Sequence, residues 1–430
     1  MREILQQRGL RLIFVANMIS MLGSGMNSAA LTWYILKTTG SETALGLLIV
    51  LQTLPAMLML PFTGVIIDRE DRRRIVMTLD AARAVVILTI AILAFRGGVH
   101  LWHLYLMNIL VAAGFWMFWP TITALIQELT PQAQFIQSNT FLMAGVQGGW
   151  LIAGAIVGFV YNHIHLGGVL LLDFATYVFS FGCYFFVRRG RHVVTNPEEV
   201  QTAERVAGRS AFGRFLHELH DGLVYLKGRR PVVLMGISWS LFLGAMLTQG
   251  VITAPLDDRI VHGGAVGYGW MNGGWGVGAF LSALYTPWLI SRLHPRRAVG
   301  LCMAVLSASM FIAPHLGSVR LQVGAVLALI VILYFFMGSA RGVGGTAISS
   351  SMMEMVPKHY MGRVQNTFYF FGTLLQLGLG FLVGAVAHRV GLTSAFAIVA
   401  SVYLLAFLST LVPAGKVEMP AEAEMETSVR

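Results

Sequence analysis

The chain has 430 residues, of which 56% are hydrophobic and 12% are charged, and its formal net charge is +10. Soluble domains contain about 25% charged residues, so this composition excludes an ordinary soluble fold and indicates a protein that folds in a lipid bilayer. The basic residues form short clusters between long apolar runs, without a basic face that carries interleaved aromatic side chains, and this distribution argues against nucleic-acid binding.

Charged residues mark the ends of the apolar runs. The uncharged runs cover residues 12–36, 43–67, 97–127, 231–256, 260–291, 298–319, 364–388 and 390–415. Each of these runs reaches the roughly 20 residues that a helix needs to cross the hydrocarbon core. Polar residues divide the longer stretch after Glu128 into predicted spans 5 (137–161) and 6 (166–187), and spans 3 (75–95) and 10 (321–348) contain internal charges. The sequence therefore predicts an all-α membrane protein of twelve transmembrane helices, spans 1 to 12.

The distribution of lysine and arginine over the loops predicts the orientation of the chain. Most of the 30 basic residues fall in loops on the side of the N-terminus. Loops rich in lysine and arginine face the cytoplasm. We therefore expect a multi-pass protein of the bacterial inner membrane with both termini in the cytoplasm.

One long polar segment, 188–230, separates two groups of six predicted spans. Its later part has apolar residues at helical spacing, which predicts an amphipathic helix on the cytoplasmic surface. The predicted organisation is a bundle over 1–187, a linker over 188–230, a second bundle over 231–412 and a cytoplasmic tail over 413–430.

The two halves resemble each other in sequence. The segment Ile67–Arg74 matches Ile290–Arg297, and Glu128-Leu-Thr-Pro matches Glu354-Met-Val-Pro at nearly the same offset. A repeat of six spans with the same orientation in both halves is typical of transporters whose halves move as rigid bodies around a site at the middle of the membrane.

The loop between spans 2 and 3 carries a recognisable motif. Residues 64–73 read Gly-Val-Ile-Ile-Asp-Arg-Glu-Asp-Arg-Arg, which resembles the G-x-x-x-D-R-x-x-R-R signature of the major facilitator superfamily. The resemblance extends over most of the chain and implies the fold of two six-helix pseudo-repeat bundles. It also implies transport by alternating access.

Sequence features that are less specific than the loop motif resemble the drug:proton antiporter group that includes macrolide efflux proteins and the enterobactin exporter. These features are Asp80-x-x-Arg83 in span 3, the segment 222–226 before span 7, and the segments 356–357 and 362–366 at the start of span 11. The chain departs from the group in span 5, where Gly154-Ala-Ile-Val-Gly158 lacks the usual Gly-Pro pair, and this departure leaves proton coupling and transport direction open.

The resemblance assigns a conformational latch to the loop motif. The predicted latch residues are Gly64, Asp68, Arg69, Arg72 and Arg73. Asp68 can face the positive N-terminal end of span 11, and the arginines can pair with carboxylates or with the C-terminal carbonyls of adjacent helices. The alternative is that these arginines only set the topology. We expect Asp68→Asn to leave expression intact and to slow transport.

Ionisable residues inside the spans are candidates for coupling or gating, because they are costly at membrane depth. Asp80 and Arg83 are three residues apart on span 3 and can pair, which favours a structural pair over a substrate contact. Asp173 of span 6 either accepts a proton in exchange for substrate or is a buried carboxylate that is hydrogen-bonded to its neighbours.

Arg341 lies in span 10, which lines the central cavity in the superfamily. This arginine either binds an anionic group of the substrate or pairs with Glu128 or Glu354 at a cytoplasmic gate. The sequence does not separate these alternatives.

The remaining polar and aromatic residues of the spans are candidates for the substrate cavity, or else for packing and interfacial anchoring. They are Asn17, Met21, Asn27, Trp116, Trp119, Gln147, Trp150, Trp239, Gln249, Trp270, Asn272, Tyr334 and Gln376. Large aromatic residues with few charges suit a bulky and mostly apolar ligand.

The sequence contains no catalytic motif and no metal-binding spacing. Cys183 and Cys302 lie in different spans, and the histidines of His217-Glu-Leu-His220 are one residue too close together for a zinc-protease motif. We therefore expect a monomeric transporter without cofactor or metal. Its partners would be lipid, a small molecule and protons.

The resemblance and the aromatic spans favour proton-coupled efflux of amphipathic small molecules such as drugs, macrolides or siderophore-like metabolites. The alternative within the same fold is a lipid or metabolite transporter with different coupling or direction. A membrane-embedded enzyme would need a catalytic constellation, and a sensor would need a large soluble domain.

Overall fold

The computed structural model describes residues 7–130, 135–187, 211–318 and 322–413. These residues are almost entirely helical, and no strand occurs among them. The linker before residue 211 and the tail after residue 413 lie outside the described residues.

The first half contains spans 1 to 6. Its helices are Arg8–Thr39, Glu42–Arg69, Arg72–Phe95, Leu101–Leu129 and Phe135–Phe185. The last of these holds two spans, because the backbone at His165 leaves the helical region with φ 53° and ψ −169°. The break lies between the predicted spans 5 and 6.

The second half contains spans 7 to 12. Span 7 is Arg230–Thr248 with its continuation Gly250–Leu256, and the other spans are Gly264–Leu293, Pro295–Ile312, Val323–Met355, Lys358–Arg389 and Leu392–Leu411. A π-helical turn, Asp257–Val261, joins span 7 to span 8, and a 3₁₀ turn, Ala313–Ser318, follows span 9.

The described helices account for twelve spans. Ten helices are long and apolar enough to cross a membrane, and the longest of them, Phe135–Phe185, is two spans. Span 8 has 30 residues and completes the set, although its many glycines and polar aromatic residues make it less hydropathic than the others. The prediction of an all-α membrane protein with twelve transmembrane helices is confirmed.

Short turns force successive spans to run in opposite directions. Gly40 ends span 1 in the left-handed conformation with φ 60°, and the Ser41 side chain accepts a hydrogen bond from the Ala44 amide to start span 2. The Asp71 side chain caps span 3 in the same way by accepting from the amides of Arg73 and Arg74. With so few residues in the turns, neighbouring spans must pack as antiparallel pairs.

The two halves meet along two seams. The helix that holds spans 5 and 6 packs against span 8, and span 11 packs against span 2. Because span 5 corresponds to span 11 and span 2 to span 8 in the repeat, the seams are equivalent. This pseudo-symmetry follows from two similar bundles facing each other.

Glycines allow the close approach at both seams. A Cβ atom on Gly158 would lie 2.1 Å from the carbonyl oxygen of Ala265 in span 8, and one on Gly269 would lie 3.0 Å from the Gly158 nitrogen. On the other seam, a Cβ atom on Gly46 would lie 2.5 Å from the carbonyl oxygen of Gly380. Small residues at helix crossings permit such backbone contact in membranes.

The linker contains the amphipathic helix Ala211–Leu226, which we call the linker helix. It packs mainly against span 11 and also contacts span 2 of the other half. Gly222 packs directly on Thr367, and Tyr225 stacks on Tyr360 with ring centroids 4.4 Å apart, so both contacts fix the linker helix on span 11.

Candidate functional site

The arginines of the loop motif bind groups of the first half. Arg72 Nη1 lies 2.7 Å from Glu128 Oε1, and Arg73 Nε donates to the Tyr184 carbonyl at 2.9 Å. Arg73 also donates to the Phe185 carbonyl, at the C-terminal end of span 6. These are the two kinds of partner expected from the sequence, and here they tie spans 3, 4 and 6 together. The helical backbone of Gly64, Asp68 and Arg69 is described, but their side chains lie outside the described residues.

A buried ion pair on span 3 lies in the interior of the first half. Arg83 Nη2 pairs with Asp80 Oδ1, and the Ser180 hydroxyl donates to the other Asp80 oxygen at 2.7 Å. The Arg83 guanidinium lies between the rings of Phe118 and Tyr177, 4.8 Å and 4.5 Å from their centroids. The ion pair is buried and closely packed, away from the surface.

Asp173 is completely buried between spans 6 and 1. Its Oδ2 accepts a hydrogen bond from Asn27 Nδ2 at 2.8 Å, and Thr176 Oγ1 lies 3.4 Å from Oδ1. A Cβ atom on Gly23 would lie 2.5 Å from Asp173 Oδ1, so the glycine lets the backbone of span 1 close over the carboxyl group.

The buried cluster of Asp80, Arg83 and Asp173 contains two carboxyl groups and one cation. Arg83 interacts electrostatically with both Asp80 and Asp173. If all three are ionised, their net charge is −1. A proton on Asp173 would bring the net charge of the cluster to zero, which matters because an unpaired buried charge is costly.

A cavity of about 100 Å³ lies beside Asp173, between spans 1, 2, 4, 5 and 6. Its polar lining consists of Ser24, Asn27, Ser28, Gln52, Asn108 and Tyr177. Trp116 and Trp150 supply large aromatic surfaces. Asn27 therefore contacts both the cavity and Asp173, and its Oδ1 has no hydrogen-bond partner among the described residues.

Three of the predicted cavity residues, Asn27, Trp116 and Trp150, line this cavity, and the other candidates of the first half do not. Asn17 Nδ2 donates to the Ile13 carbonyl and to the Tyr184 hydroxyl, at 2.7 Å and 3.0 Å. Met21 is fully buried, Trp119 packs on the core near the loop motif, and Gln147 is partly buried outside the cavity lining.

The candidates of the second half serve several different contacts. Gln376 donates to Thr53 across the seam between spans 11 and 2 at 2.5 Å, and Tyr334 donates to Thr253 at 3.2 Å. Asn272 donates to the Tyr268 carbonyl one turn earlier. The remaining three have different surroundings. Trp239 packs against the core, Gln249 is buried, and Trp270 is half-exposed and contacts the ring of Phe159.

Arg341 pairs with neither of the glutamates named as its possible partners. Its Nε lies 2.9 Å from the Met246 sulfur, and its guanidinium lies 4.6 Å from the centroid of the Trp275 ring. Glu128 is engaged by Arg72, and Glu354 is exposed. Of the two alternatives for Arg341, the gate pair is not formed in this structure, where sulfur and an aromatic ring contact the guanidinium.

Charged residues connect the halves at the end that carries the loops between spans 1 and 2 and between spans 7 and 8. The Glu42 side chain is fully buried and pairs with Arg259 and with His388, whose Nδ1 is 3.3 Å away. Lys37 pairs with Asp258 nearby. We call these residues the inter-half charge cluster.

Asp257 lies next to this cluster, in the turn that follows span 7. Burial and the neighbouring carboxylate of Asp258 raise the pKa of Asp257 to about 7, although the amides of Gly263 and Gly264 oppose the shift. The side chain packs against the start of span 8, since a Cβ atom on Gly267 would lie 2.4 Å from its Oδ1.

The family follows from a sequence comparison. A family profile described as the Major Facilitator Superfamily matches residues 13–378. The chain belongs to this superfamily. The resemblance that we inferred from the loop motif is confirmed, and the protein is a membrane transporter of the superfamily.

Relatives of the chain are distant members of the superfamily. The chain is 24% identical to the uncharacterized MFS-type transporter YfiS of Bacillus subtilis, with 94% of this chain and 93% of the relative covered. It is 20% identical to macrolide efflux protein A of Streptococcus pyogenes, over 54% of each chain. The latter similarity agrees with the group that the softer sequence features indicated.

Solved structures share the fold. A crystal structure of a mutant of the nucleoside transporter NupG superposes with a TM-score of 0.72 at 12% identity, and the match covers 94% of this chain and 98% of that one. At this identity the similarity shows the superfamily fold alone.

Sequence reasoning missed several residues that the fold brings together. Gln52 and Asn108 line the cavity, and they are polar residues inside otherwise apolar runs, a signal that we did not use. Glu42 and Arg259 served only as markers of span ends, and His388 was not singled out. Their contact across the two halves is not visible in local spacing.

Proposed function

We propose that this superfamily member exports bulky amphipathic small molecules in exchange for protons. In this proposal the chain is a monomer in the bacterial inner membrane with both termini in the cytoplasm. The single observation that supports the proposal best is the hydrogen bond from Asn27 to Asp173, because it connects the cavity lined by polar and aromatic residues with a buried carboxyl group that can carry a proton.

The lining of the cavity suits such a substrate. Trp116 and Trp150 offer aromatic surfaces, and Gln52, Asn108 and the free Oδ1 of Asn27 offer neutral hydrogen-bonding groups. Pockets with this mixture bind mostly apolar ligands and orient them through a few polar contacts. The similarity to macrolide efflux protein A supports the same class of substrate.

Asp173 has the features of a proton carrier. It is the carboxyl group in excess over the Asp80–Arg83 pair, so its protonation neutralises the buried cluster. When Asp173 is ionised, Asn27 is held as its hydrogen-bond donor. When Asp173 accepts a proton, its hydroxyl becomes a donor, and the Asn27 amide can turn over to accept from it through Oδ1, which is then lost to the ligand. Proton and substrate would thus compete through one amide.

In this proposal the two halves move against each other at the two seams. The halves touch through glycines where spans 5 and 8 and spans 2 and 11 cross, and the inter-half charge cluster holds the same end closed. Opening this end and closing the other would expose the cavity to opposite sides of the membrane in turn.

The test uses inverted membrane vesicles that contain the protein. A proton gradient is established, and a macrolide, a cationic drug and a siderophore are added in separate experiments. We expect at least one of them to accumulate and to release protons from the vesicle lumen, which is measured by dequenching of a pH-sensitive dye. Accumulation of none of the three classes contradicts the proposed substrate class.

Asp173→Asn tests the coupling. We expect gradient-driven uptake to fall at least about tenfold, because the variant cannot release a proton at this site, whereas exchange of labelled for unlabelled substrate without a gradient should persist. Glu218→Gln is the matched control, because this glutamate is an exposed carboxyl group on the linker helix, away from the cavity. Gradient-driven uptake at the wild-type rate in the Asp173→Asn vesicles contradicts the proton role.

A further inference from the structure

An apolar crevice of about 610 Å³ lies between the linker helix, span 7 and span 11. Leu223 and Leu226 of the linker helix form one wall, and Ile237 and Leu241 of span 7 form another. Phe371 of span 11 lies opposite and is half-exposed. The crevice is separate from the cavity of the first half and plays no part in the proposed function.

The crevice opens away from the other half of the protein. Phe371 precedes Gly380 by nine residues, which places the two on opposite sides of span 11, about 180° apart. Gly380 contacts Gly46 of span 2 in the seam. Phe371 therefore faces the surroundings of the bundle. For a protein with these spans, the surroundings at this level are lipid.

Both hydroxyl groups in the walls of the crevice already donate a hydrogen bond to the backbone. The Thr367 hydroxyl donates to the Arg363 carbonyl at 2.8 Å, and the Ser240 hydroxyl donates to the Phe368 carbonyl at 2.8 Å. An occupant must therefore be apolar along its buried length. From Val233 to Leu241 the crevice follows span 7 for about 12 Å, which is long enough for a large part of an acyl chain.

The mouth of the crevice is basic. Lys227 lines it at the end of the linker helix, and Arg230 follows at the start of span 7, both exposed. No partner for the Lys227 ammonium group occurs among the described residues. The nearest carboxylate on the linker helix, Asp221, is already paired with Arg363 at 3.3 Å. The mouth thus has an unbalanced positive charge at the membrane interface.

We propose that the crevice binds one anionic phospholipid, with an acyl chain along span 7 and the phosphate group at Lys227. A cation at the interface above an apolar channel matches the two parts of such a lipid. A juxtamembrane lysine contributes about fivefold to the affinity for an anionic lipid surface. Because the linker helix contacts both halves, the bound lipid holds the linker helix against span 7.

The test is native mass spectrometry of the purified full-length protein with phosphatidylglycerol and, separately, phosphatidylcholine of the same acyl chains. We expect the wild type to retain phosphatidylglycerol about fivefold better, and Lys227→Gln to remove this preference. Arg292→Gln, at an exposed basic residue outside the crevice, is the matched control and should keep the preference. Equal retention of both lipids by the wild type, or an unchanged preference in Lys227→Gln, overturns the proposal.

A second variant tests the location of the acyl chain. Ile237→Trp fills the crevice, and we expect it to reduce the retention of both lipids while the thermal midpoint stays close to that of the wild type. Undiminished retention in a folded Ile237→Trp variant overturns the assignment of the crevice. Soluble glycerol phosphate at millimolar concentration should not compete, and competition by it would show an anion site without a lipid tail.

Discussion

Arg83 is the largest side chain that is fully enclosed in the described part of the molecule, and it is charged. Its guanidinium is held by Asp80 and by two aromatic rings, and Gly114 leaves room for its stem, with a Cβ position only 3.0 Å from Arg83 Cδ. Such an ion pair contributes to stability only while both partners are present.

Removing one partner of this pair should therefore cost more than removing both. We expect Arg83→Met to destabilise the protein by about 3 kcal/mol, because it leaves Asp80 buried beside apolar groups. The double variant Asp80→Asn with Arg83→Met should recover most of this loss. Thermal unfolding in detergent measures both, and a double variant less stable than Arg83→Met contradicts the structural role of the pair.

Asp257 should make stability depend on pH. Its pKa is raised to about 7 in the folded protein, so the folded state binds more protons than the unfolded state between about pH 4 and pH 7. The free energy of unfolding should therefore fall as the pH rises through this range and change little above it.

The variant Asp257→Asn isolates this contribution. We expect it to match the wild type near pH 4 and to have a higher thermal midpoint near pH 8, since its amide has no charge to bury. Thermal shift assays at several pH values measure the difference. A variant that is less stable than the wild type at high pH would contradict the assigned pKa.

At the scale of single helices, glycines decide how closely the halves approach. Gly158 of span 5 faces the backbone of span 8, whereas a Cβ atom on Gly148 in the same helix meets nothing within 4 Å. A methyl group at the first position collides with backbone that cannot rotate away, and at the second position it is tolerated. The two glycines therefore form a matched pair for mutation.

Gly158→Ala should shift the protein toward the state that is open at this seam. We expect labelling of a cysteine introduced at Gln52 by a membrane-impermeant maleimide to become about fivefold faster, which corresponds to a shift of about 1 kcal/mol between states. Gly148→Ala should label like the parent. Equal rates in the two variants would show that the seam does not control opening.

The linker helix shows how an element can be predicted without its location. The spacing of its apolar residues predicted an amphipathic helix, and the structure has one at Ala211–Leu226. Its position against span 11 depends on contacts such as Gly222 with Thr367 and Asp221 with Arg363. These partners are more than 140 residues away, and periodicity carries no information about them.

At the scale of the whole molecule, the inter-half charge cluster joins the two halves at one end of the protein. Its three ion pairs differ in burial: the Glu42 side chain is 0% exposed and its partners Arg259 and His388 are 42% and 48% exposed, whereas Lys37 and Asp258 are 50% and 25% exposed. Solvent-exposed pairs contribute about 0–1 kcal/mol, and breaking a buried one costs more. Glu42 should therefore dominate the closure.

Glu42→Gln should open this end more than Lys37→Gln does. We expect the first variant to increase labelling of the introduced cysteine at Gln52 at least about tenfold and the second less than about fivefold, because only the first leaves Arg259 without its carboxylate. The ranking of the two labelling rates is the measurement. The reverse ranking would place the closing contact at Lys37 instead.

The sequence by itself determined the membrane class, the twelve spans and the superfamily. A helix in lipid must be apolar over about 20 residues, and a charge inside it is costly. Each span can therefore be recognised from a run of consecutive residues. The loop motif is equally local. Pairs one helical turn apart, such as Asp80 and Arg83, were also predictable, because helix geometry alone brings them together.

Only the tertiary structure decided which polar residues meet. Asn27 and Asp173 are separated by 146 residues, and Glu42 and His388 by 346. Such contacts depend on how each helix is rotated about its axis and on which face its neighbours cover. In lipid this rotation is set by close packing of side chains and glycines. The hydrophobic effect does not drive helices together in lipid, so the apolar pattern of the sequence does not show which faces meet. Because the sequence does not show how each helix is rotated, it suggested thirteen cavity residues, of which three line the cavity of the first half.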